Sequence, residues 1–228
     1  MKQAVILCGG YGTRLGSIST KIPKPLLPFN NKPFLDNVIF QYSRHQIKNI
    51  ILLCSYKYNF FKKKYHNKII HGCKIKCFVE KKPSGTAGAL RKVKKNLDKV
   101  FFLSNGDTLT NFNILTLRKN LDKKSLISIA ILKKNNSNNR YGSVKLLRNN
   151  NIKFENKKTN LINTGYYLIK KKLINKIKKE DYNFEKDVLK KLNQNYIKGL
   201  LLKKKYNYFL DIGTPKDLKK TNSFLKKF

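Results

Sequence analysis

Short apolar runs alternate with amphipathic patterns through the first half of the chain. The runs at residues 4–8, 50–54, 75–80 and 100–103 are compact and bounded by polar or turn residues, which is typical of buried strands. Helical patterns lie between them, from residue 33 to about 45, at 58–66, and after Gly85-Thr86. This order predicts an α/β fold with a single Rossmann-like, mostly parallel (mixed) sheet and helices on both faces.

The second half has a less regular pattern. Residues 126–132 indicate a strand, residues 141–147 and 152–154 a hairpin around an Asn-rich turn, and residues 161–169 a strand interrupted by Gly165. Helices are predicted over 173–179, 184–192 and 215–225, and exposed loops at 133–139 and 148–151. Because no linker or internal repeat separates these elements, we expect residues 1–228 to form a single domain.

The charge of the chain is strongly basic, with 51 Lys and Arg against 12 Asp and Glu and a formal net charge of +39. Such a charge is found in proteins that bind nucleic acid, anionic lipid or anionic substrates, and it also arises from compositional bias. The lysines recur along most of the chain beside many asparagines instead of gathering in one patch. This distribution favours compositional bias, and we expect small-molecule substrates and no nucleic-acid partner.

Neither a disulfide framework nor a membrane span is predicted. The four cysteines match no common zinc spacing and indicate ordinary reduced thiols. No apolar run reaches the ~18 residues that a membrane-spanning helix requires. We therefore expect a cytoplasmic protein, and the sequence leaves homo-oligomerisation open.

A glycine-rich loop directly follows the first predicted strand and reads Leu7-Cys8-Gly9-Gly10-Tyr11-Gly12-Thr13-Arg14-Leu15. Glycines allow backbone N–H groups to approach a polyphosphate, and an arginine can bind it with two hydrogen bonds. A tight turn without a ligand is the alternative. A turn alone, however, requires neither three glycines nor an arginine at the sheet edge where α/β proteins bind ligands.

The loop matches neither of the two best-known phosphate-binding loops. It lacks the Gly-Lys pair of a Walker A loop, and Leu15 stands where a dinucleotide-binding fingerprint needs its third glycine. Prolines at 23, 25 and 28 argue against a helix directly after the loop. We therefore expect an extended loop, and not the start of a helix, to hold phosphates.

The loop and the segment Pro23-Lys24-Pro25-Leu26-Leu27-Pro28 resemble the signature of the sugar-1-phosphate nucleotidyltransferases. The resemblance implies the nucleotide-diphospho-sugar transferase type of fold. It implies that Arg14 and Lys24 are catalytic and bind the triphosphate, in line with the cationic stabilisation that phosphoryl transfer needs. It also implies nucleotide binding by Leu7, Gly9, Gly10, Gly12 and Thr13.

Two further motifs are similar to that family. Residues 83–90 resemble the loop that reads the nucleotide base, which implies nucleotide binding by Gly85 and Thr86; a helix start with small residues is the alternative. Asp107 and Asp211 resemble the ligands of Mg²⁺, with Asp107 also catalytic. The alternative makes Asp107 a turn former and Asp211 a helix cap.

Segments that resemble the sugar pocket of the family lie in the second half. They imply sugar-phosphate binding by Gly142, Asn163, Lys157 and Glu185. Lys157 matches a lysine that contacts the sugar phosphate, although Asn156 stands where relatives carry glutamate. For Glu185, whose counterpart meets sugar hydroxyls, a solvated helix face is the alternative.

Together these motifs imply an enzyme that joins a nucleoside monophosphate from an NTP to a sugar 1-phosphate and releases pyrophosphate, with Mg²⁺ as cofactor, for cell-surface glycan synthesis. Residues 140–142, 161–163 and 185–187 are most similar to the D-glycero-D-manno-heptose 1-phosphate guanylyltransferase branch. The expected substrates are therefore GTP and this heptose phosphate or mannose 1-phosphate. Uridylyl or thymidylyl transfer to glucose 1-phosphate or another sugar phosphate is the alternative.

A rival hypothesis from another class is a catalytically inactive basic protein that binds nucleic acid or a membrane surface. It predicts RNA binding that weakens steeply with salt. The presence of Arg14, Lys24, Asp107, Asp211 and Lys157 together argues against it.

Overall fold

The computed structural model describes residues 2–134, 141–157, 159–203 and 208–226. Its strands are β1 Gln3–Leu7, β2 Pro28–Phe29, β3 Lys32–Pro33, β4 Asn49–Cys54, β5 Ile69–Ile70, β6 Cys73–Val79, β7 Val100–Asn105, β8 Thr108–Thr110, β9 Ile127–Lys133, β10 Ser143–Leu146, β11 Ile152–Glu155, β12 Leu161–Lys170, β13 Ile197–Leu202 and β14 Phe209–Asp211. Its α-helices are α1 Ser17–Lys21, α2 Phe34–Ser43, α3 Tyr58–Tyr65, α4 Gly85–Lys92 and α5 Pro215–Leu225.

The chain divides into two compact units. The N-terminal unit comprises Lys2–Pro83, Ser104–Asn111 and Tyr208–Phe228, and the central unit comprises Ser84–Leu103 and Phe112–Asn207. Among the described residues, ten strands form a mixed, mostly parallel sheet with helices, which confirms the predicted fold class; β8 with β14 and β2 with β3 form two separate two-stranded sheets. That the whole chain forms a single domain stays a prediction.

Parallel strands form the core of the N-terminal unit. β1 pairs with β4 and β4 with β6 in parallel, and β5 pairs with β6 in the antiparallel sense. β1 is a continuous apolar run because both of its faces are covered, and Ala4, Val5 and Ile6 are fully buried. α2 buries a wide apolar face made of Phe34, Leu35, Val38, Ile39 and Tyr42.

A short helix follows the glycine-rich loop, and the prediction that none begins there was wrong. The loop continues into a 3-10 turn at Thr13–Leu15 and then into α1. The prolines at 23, 25 and 28 lie beyond Lys21, so they limit the length of α1 without preventing its first turn.

Antiparallel pairing dominates the sheet of the central unit. β12 pairs antiparallel with β9 and β10, and β10 with β11, which confirms the predicted hairpin. β12 has a register shift between Asn163 and Tyr167, around the interruption expected at Gly165. β13, which the sequence pattern does not predict, pairs in parallel with β9. Lys198 and Gly199 interrupt its apolar run, and the pairing with β9 completes its backbone hydrogen bonds.

The predicted helices of the second half differ in regularity. The helix expected over 173–179 is a 3-10 helix at Lys171–Lys176, and the one expected over 184–192 is a π-helix at Phe184–Leu189. α5 has the predicted bounds, and its N-terminus is capped by Thr214, whose hydroxyl accepts a hydrogen bond from the Asp217 N–H at 3.2 Å. Residues 135–139 of one predicted loop lie outside the described residues.

Two further expectations concern the environment of the protein. No helix within the described ranges has the length and apolar character needed to cross a membrane. The four cysteines are free and buried, as expected for ordinary thiols.

Candidate active site

The glycine-rich loop leaves the sheet at the end of β1, where two backbone hydrogen bonds fix its start. The Leu7 carbonyl accepts from the Gly106 N–H at 2.9 Å, and the Cys8 N–H donates to the Leu53 carbonyl at 2.8 Å. A Cβ at position 106 would lie 3.0 Å from both the Leu7 oxygen and the Cys8 sulfur, so this close approach requires glycine. The segment that carries Asp107 is thereby held against the first residues of the loop.

The predicted phosphate-binding residues other than Lys24 and Lys157 share this one loop. Gly9 and Gly12 are partly buried, whereas Gly10, Thr13 and Arg14 are exposed. The Leu15 N–H donates to the Gly12 carbonyl at 2.9 Å and closes the turn on which Arg14 lies. The exposed Arg14 is therefore accessible to an incoming anion.

Lys24 forms an ion pair with the Asp107 carboxylate. Lys24 begins a 3-10 turn that the Leu26 N–H closes by donating to the Pro23 carbonyl at 2.8 Å. The side chains of Lys24 and Asp107 are only 16% and 25% exposed, so solvent weakens their attraction less than at an open surface. Asp107 thus already accepts a cation in this structure.

The second predicted metal ligand, Asp211, lies next to Asp107 because β14 pairs with β8. Asp211 stands opposite Thr108 in this antiparallel pair, and the Ile212 N–H donates to the Asp107 carbonyl at 3.1 Å. The Asp211 Oδ1 atom accepts from the Gly213 N–H at 2.6 Å, which orients that carboxylate. The structure therefore brings together the two chain segments that carry the carboxylates predicted as metal ligands.

A separate group of predicted residues surrounds Glu185 in the central unit. The Tyr167 hydroxyl donates to Glu185 Oε1 at 2.9 Å, and the Asn163 amide donates to the Tyr167 oxygen at 2.7 Å. A Cβ on Gly142 would lie 3.0 Å from Glu185 Oε2. Gly142, Asn163 and Glu185, predicted from three distant segments, are thus in mutual proximity, and we call these three residues with Tyr167 the Glu185 network.

The surroundings of Glu185 act in opposite directions on the pKa of its carboxyl, with a net upward shift. Burial raises the pKa of the Glu185 carboxyl, whereas hydrogen bonds from Tyr167 and Asn163 and the charge of Lys190 act to lower it. Burial together with the nearby Glu185 carboxylate raises the pKa of Tyr167 well above its ordinary value. Tyr167 therefore stays protonated and remains a hydrogen-bond donor. The structure contradicts the alternative of Glu185 on a solvated helix face.

The remaining predicted residues lie at other places in the central unit. Gly85 and Thr86 form the first turn of α4. Lys157 is exposed, and the neighbouring Asn156 accepts a hydrogen bond from the Lys190 ammonium at 3.1 Å. Arg140, part of a segment that resembles the sugar pocket, lies outside the described residues.

A model of the nucleotidyl transferase family matches residues 3–227. The chain belongs to the nucleotidyl transferase family. It is 41% identical over 221 residues to the D-glycero-alpha-D-manno-heptose 1-phosphate guanylyltransferase of Campylobacter jejuni subsp. jejuni serotype O:2, covering 94% of this chain and 96% of that protein. It is 32% identical over 239 residues to the enzyme of the same name from Aneurinibacillus thermoaerophilus, covering 99% of each chain.

A solved member of comparable size is HddC from Yersinia pseudotuberculosis complexed with GMP-PN. Its structure resembles this chain with a TM-score of 0.84 at 30% identity, covering 98% of this chain and 99% of that one. These matches confirm the family resemblance, the fold class and the assignment to the nucleotidyltransferases.

Nucleotidyltransferases generally use a divalent metal ion, and the Asp107–Asp211 pair offers suitable donors for one. Within the described ranges, no group of three or more His, Cys, Asp and Glu side chains could hold a metal ion. The carboxylate oxygens of Asp107 and Asp211 are donors of the kind that hard divalent cations prefer. In this structure the Asp107 carboxylate is paired with the Lys24 ammonium, which would have to make room for a bound metal ion.

Tyr167 was not predicted as a site residue, although it lies in the motif that contains Asn163. A strand places residues four apart on the same face, which is the one signal that could have linked Tyr167 to Asn163. The register shift in β12 between these residues makes that signal unreliable.

Proposed function

We propose that this member of the family is a sugar-1-phosphate guanylyltransferase that uses GTP and Mg²⁺. The proposal names D-glycero-α-D-manno-heptose 1-phosphate as the preferred acceptor and mannose 1-phosphate as the next. The observation that carries it is the ion pair between Lys24 and Asp107, at the point where the segments carrying Asp107 and Asp211 meet and the glycine-rich loop begins. The names of the relatives that match almost the full chain support the choice of nucleotide and sugar.

The phosphate chemistry falls to residues of the N-terminal unit. A phosphate oxygen of the sugar 1-phosphate attacks the α-phosphorus of GTP, the bond to the bridging oxygen of the β-phosphate breaks, and pyrophosphate leaves. The attacking phosphate is already anionic, so no general base is needed. Arg14 and Lys24 offset the charge of the triphosphate, and a divalent cation on Asp107 and Asp211 would supply further charge stabilisation.

Sugar recognition falls to residues of the central unit. Lys157 is exposed and positively charged, which suits the phosphate of the sugar. Glu185 and Asn163 present a carboxylate and an amide that can bind sugar hydroxyls. Burial makes the charge of the Glu185 carboxylate costly. The hydrogen bonds from Tyr167 and Asn163 offset part of this cost and keep the carboxylate oriented.

The experiment that tests the function measures pyrophosphate release across a grid of nucleoside triphosphates and sugar 1-phosphates, with and without Mg²⁺. We expect turnover that depends on Mg²⁺ and is highest with GTP and the heptose phosphate. Higher turnover with UTP or dTTP and glucose 1-phosphate would replace the proposed substrates with the alternative ones. No turnover in any cell of a grid that includes the heptose, mannose and glucose phosphates would contradict the proposed reaction.

A further inference from the structure

The Thr86 hydroxyl oxygen accepts a hydrogen bond from the backbone N–H of Phe184 at 2.8 Å. Phe184 directly precedes Glu185 in the chain. We propose that Thr86 is a positioning residue for Glu185, so that the loop expected to read the nucleotide base also orients the carboxylate that binds the sugar. The proposal rests on the proposed function because it assigns Glu185 to sugar recognition.

The contact between Thr86 and Phe184 is part of a wider junction within the central unit. The Ala87 N–H donates to the Tyr182 carbonyl at 3.0 Å. Gly85 has a φ of +71°, and a Cβ at this position would lie only 2.1 Å from the Tyr182 carbonyl oxygen. The first turn of α4 and the segment at residues 182–184 are therefore in direct contact along three consecutive residues.

The same segment controls where Glu185 points. Asp187 accepts hydrogen bonds from the Tyr182 and Asn183 N–H groups at 3.0 and 2.6 Å, and Asn183 accepts from the Lys186 N–H at 2.9 Å. These bonds fix the first turn of the π-helix at Phe184–Leu189. Since Glu185 lies within that turn, a shift of the Phe184 backbone must move Glu185.

The Phe184 side chain packs against Tyr167, a member of the Glu185 network. It is 2% exposed, and its ring meets the Tyr167 ring edge-on at 5.9 Å between centroids. Tyr167 in turn donates to Glu185 at 2.9 Å. The backbone of Phe184 bonds to Thr86, and its ring contacts Tyr167, the hydrogen-bond partner of Glu185. Phe184 therefore links the loop at residues 83–90 to the Glu185 network.

The hydroxyl oxygen of Thr86 thus has a defined structural role as a hydrogen-bond acceptor. Its oxygen is an acceptor for Phe184, and a valine at this position has nearly the same shape but cannot accept. Thr86→Val leaves the Phe184 N–H without its partner, whereas Thr86→Ser retains the acceptor. The two variants therefore separate the hydrogen bond from the volume of the side chain.

The test measures KM for GTP and for the heptose phosphate separately in each variant. We expect Thr86→Val to raise KM for the sugar phosphate about tenfold, the effect of one lost hydrogen bond, while KM for GTP changes less than about threefold. Thr86→Ser, which keeps the acceptor oxygen, should have the wild-type KM for both substrates. Thr116→Val, which removes a surface hydroxyl that donates to the Asn113 carbonyl at 2.6 Å, is the matched control and should leave both values unchanged.

A double-mutant cycle shows whether Thr86 acts through Glu185. In a Glu185→Ala background, Thr86→Val should have little further effect on KM for the sugar phosphate, because the carboxylate that Thr86 positions is absent. Full additivity of the two changes would overturn the proposal. So would a Thr86→Val enzyme in which only KM for GTP rises, since Thr86 would then contact the nucleotide directly.

A measurement without substrate keeps this proposal separable from the proposed function. Hydrogen exchange of the wild-type Phe184 amide should be slow, and it should become faster in Thr86→Val but not in Thr86→Ser. If the wild-type enzyme shows no turnover in the grid, the proposed function fails while this exchange still tests the junction. A Phe184 amide that exchanges rapidly in the wild type would overturn the inference, even if Thr86→Val failed to fold.

Discussion

Replacing Gly85 by alanine would place a methyl group against the Tyr182 backbone. The ideal Cβ lies 2.1 Å from the Tyr182 carbonyl oxygen, over an ångström too close for ordinary contact, and 2.6 Å from the Tyr182 Cδ1 atom, which is also too close. The φ of +71° adds strain for any residue with a side chain. Both effects act at the junction that holds Thr86 against Phe184.

The size of the effect follows from two contributions. A left-handed backbone costs an L-residue about 1–2 kcal/mol. To relieve the clash, residues 182–184 must move, which breaks the hydrogen bonds from Ala87 to Tyr182 and from Phe184 to Thr86. Each is worth about 0.5–1.5 kcal/mol, so Gly85→Ala should destabilise the protein by about 2–5 kcal/mol.

Gly72→Ala is the matched control because Gly72 has a φ of +75° but no atom within 4 Å of an ideal Cβ. It should cost only the backbone strain of about 1–2 kcal/mol. At about 2–4 °C per kcal/mol for a chain of this size, the two variants should differ in melting temperature by about 2–12 °C. Circular dichroism on heating measures this difference. Equal melting temperatures would refute the packing of Tyr182 on Gly85.

Three further predictions test the remaining groups. Asp107→Asn should lower turnover by about 10²–10³-fold or more, as expected when a charge-stabilising group is lost, without a large change in melting temperature; a wild-type rate would contradict the metal assignment. Tyr167→Phe removes a hydrogen bond that stabilises the Glu185 carboxylate, so the pKa of Glu185 should rise further. The acidic limb of the pH profile of kcat/KM for the sugar phosphate should then move to higher pH, and an unmoved limb would show that Glu185 does not titrate in sugar binding. Because the folded-state pKa of Glu185 is raised, its contribution to stability is present at low pH and lost as pH rises through that pKa. The melting temperature of Glu185→Gln should therefore increase relative to that of the wild type as pH rises. A difference in melting temperature between the two proteins that is the same at every pH would argue against the raised pKa of Glu185.

The local sequence pattern was sufficient to identify strands made of consecutive apolar residues and helices with clear start signals. β1 and β4 read as strands because their apolar residues are consecutive, and α5 has its predicted bounds because Thr214 and Pro215 mark its start. α1 was missed because its neighbouring prolines dominated the pattern, although they lie after its last residue. β13 was missed because Lys198 and Gly199 break its apolar run, and only β9 reveals it as a strand.

The sequence by itself determined the fold class, the glycine-rich loop, and the residue types of the candidate site. These depend on periodicity and on short motifs, in which chemistry and backbone geometry are local. The family resemblance grouped those residues, and only the tertiary structure showed the contacts through which they meet. Asp107 and Asp211 are joined by two strands of three residues each, too short to leave a periodic signal, and Glu185 meets Tyr167 across distant segments. Such contacts depend on how separate elements pack, and packing is set by the whole chain and not by the residues beside each site.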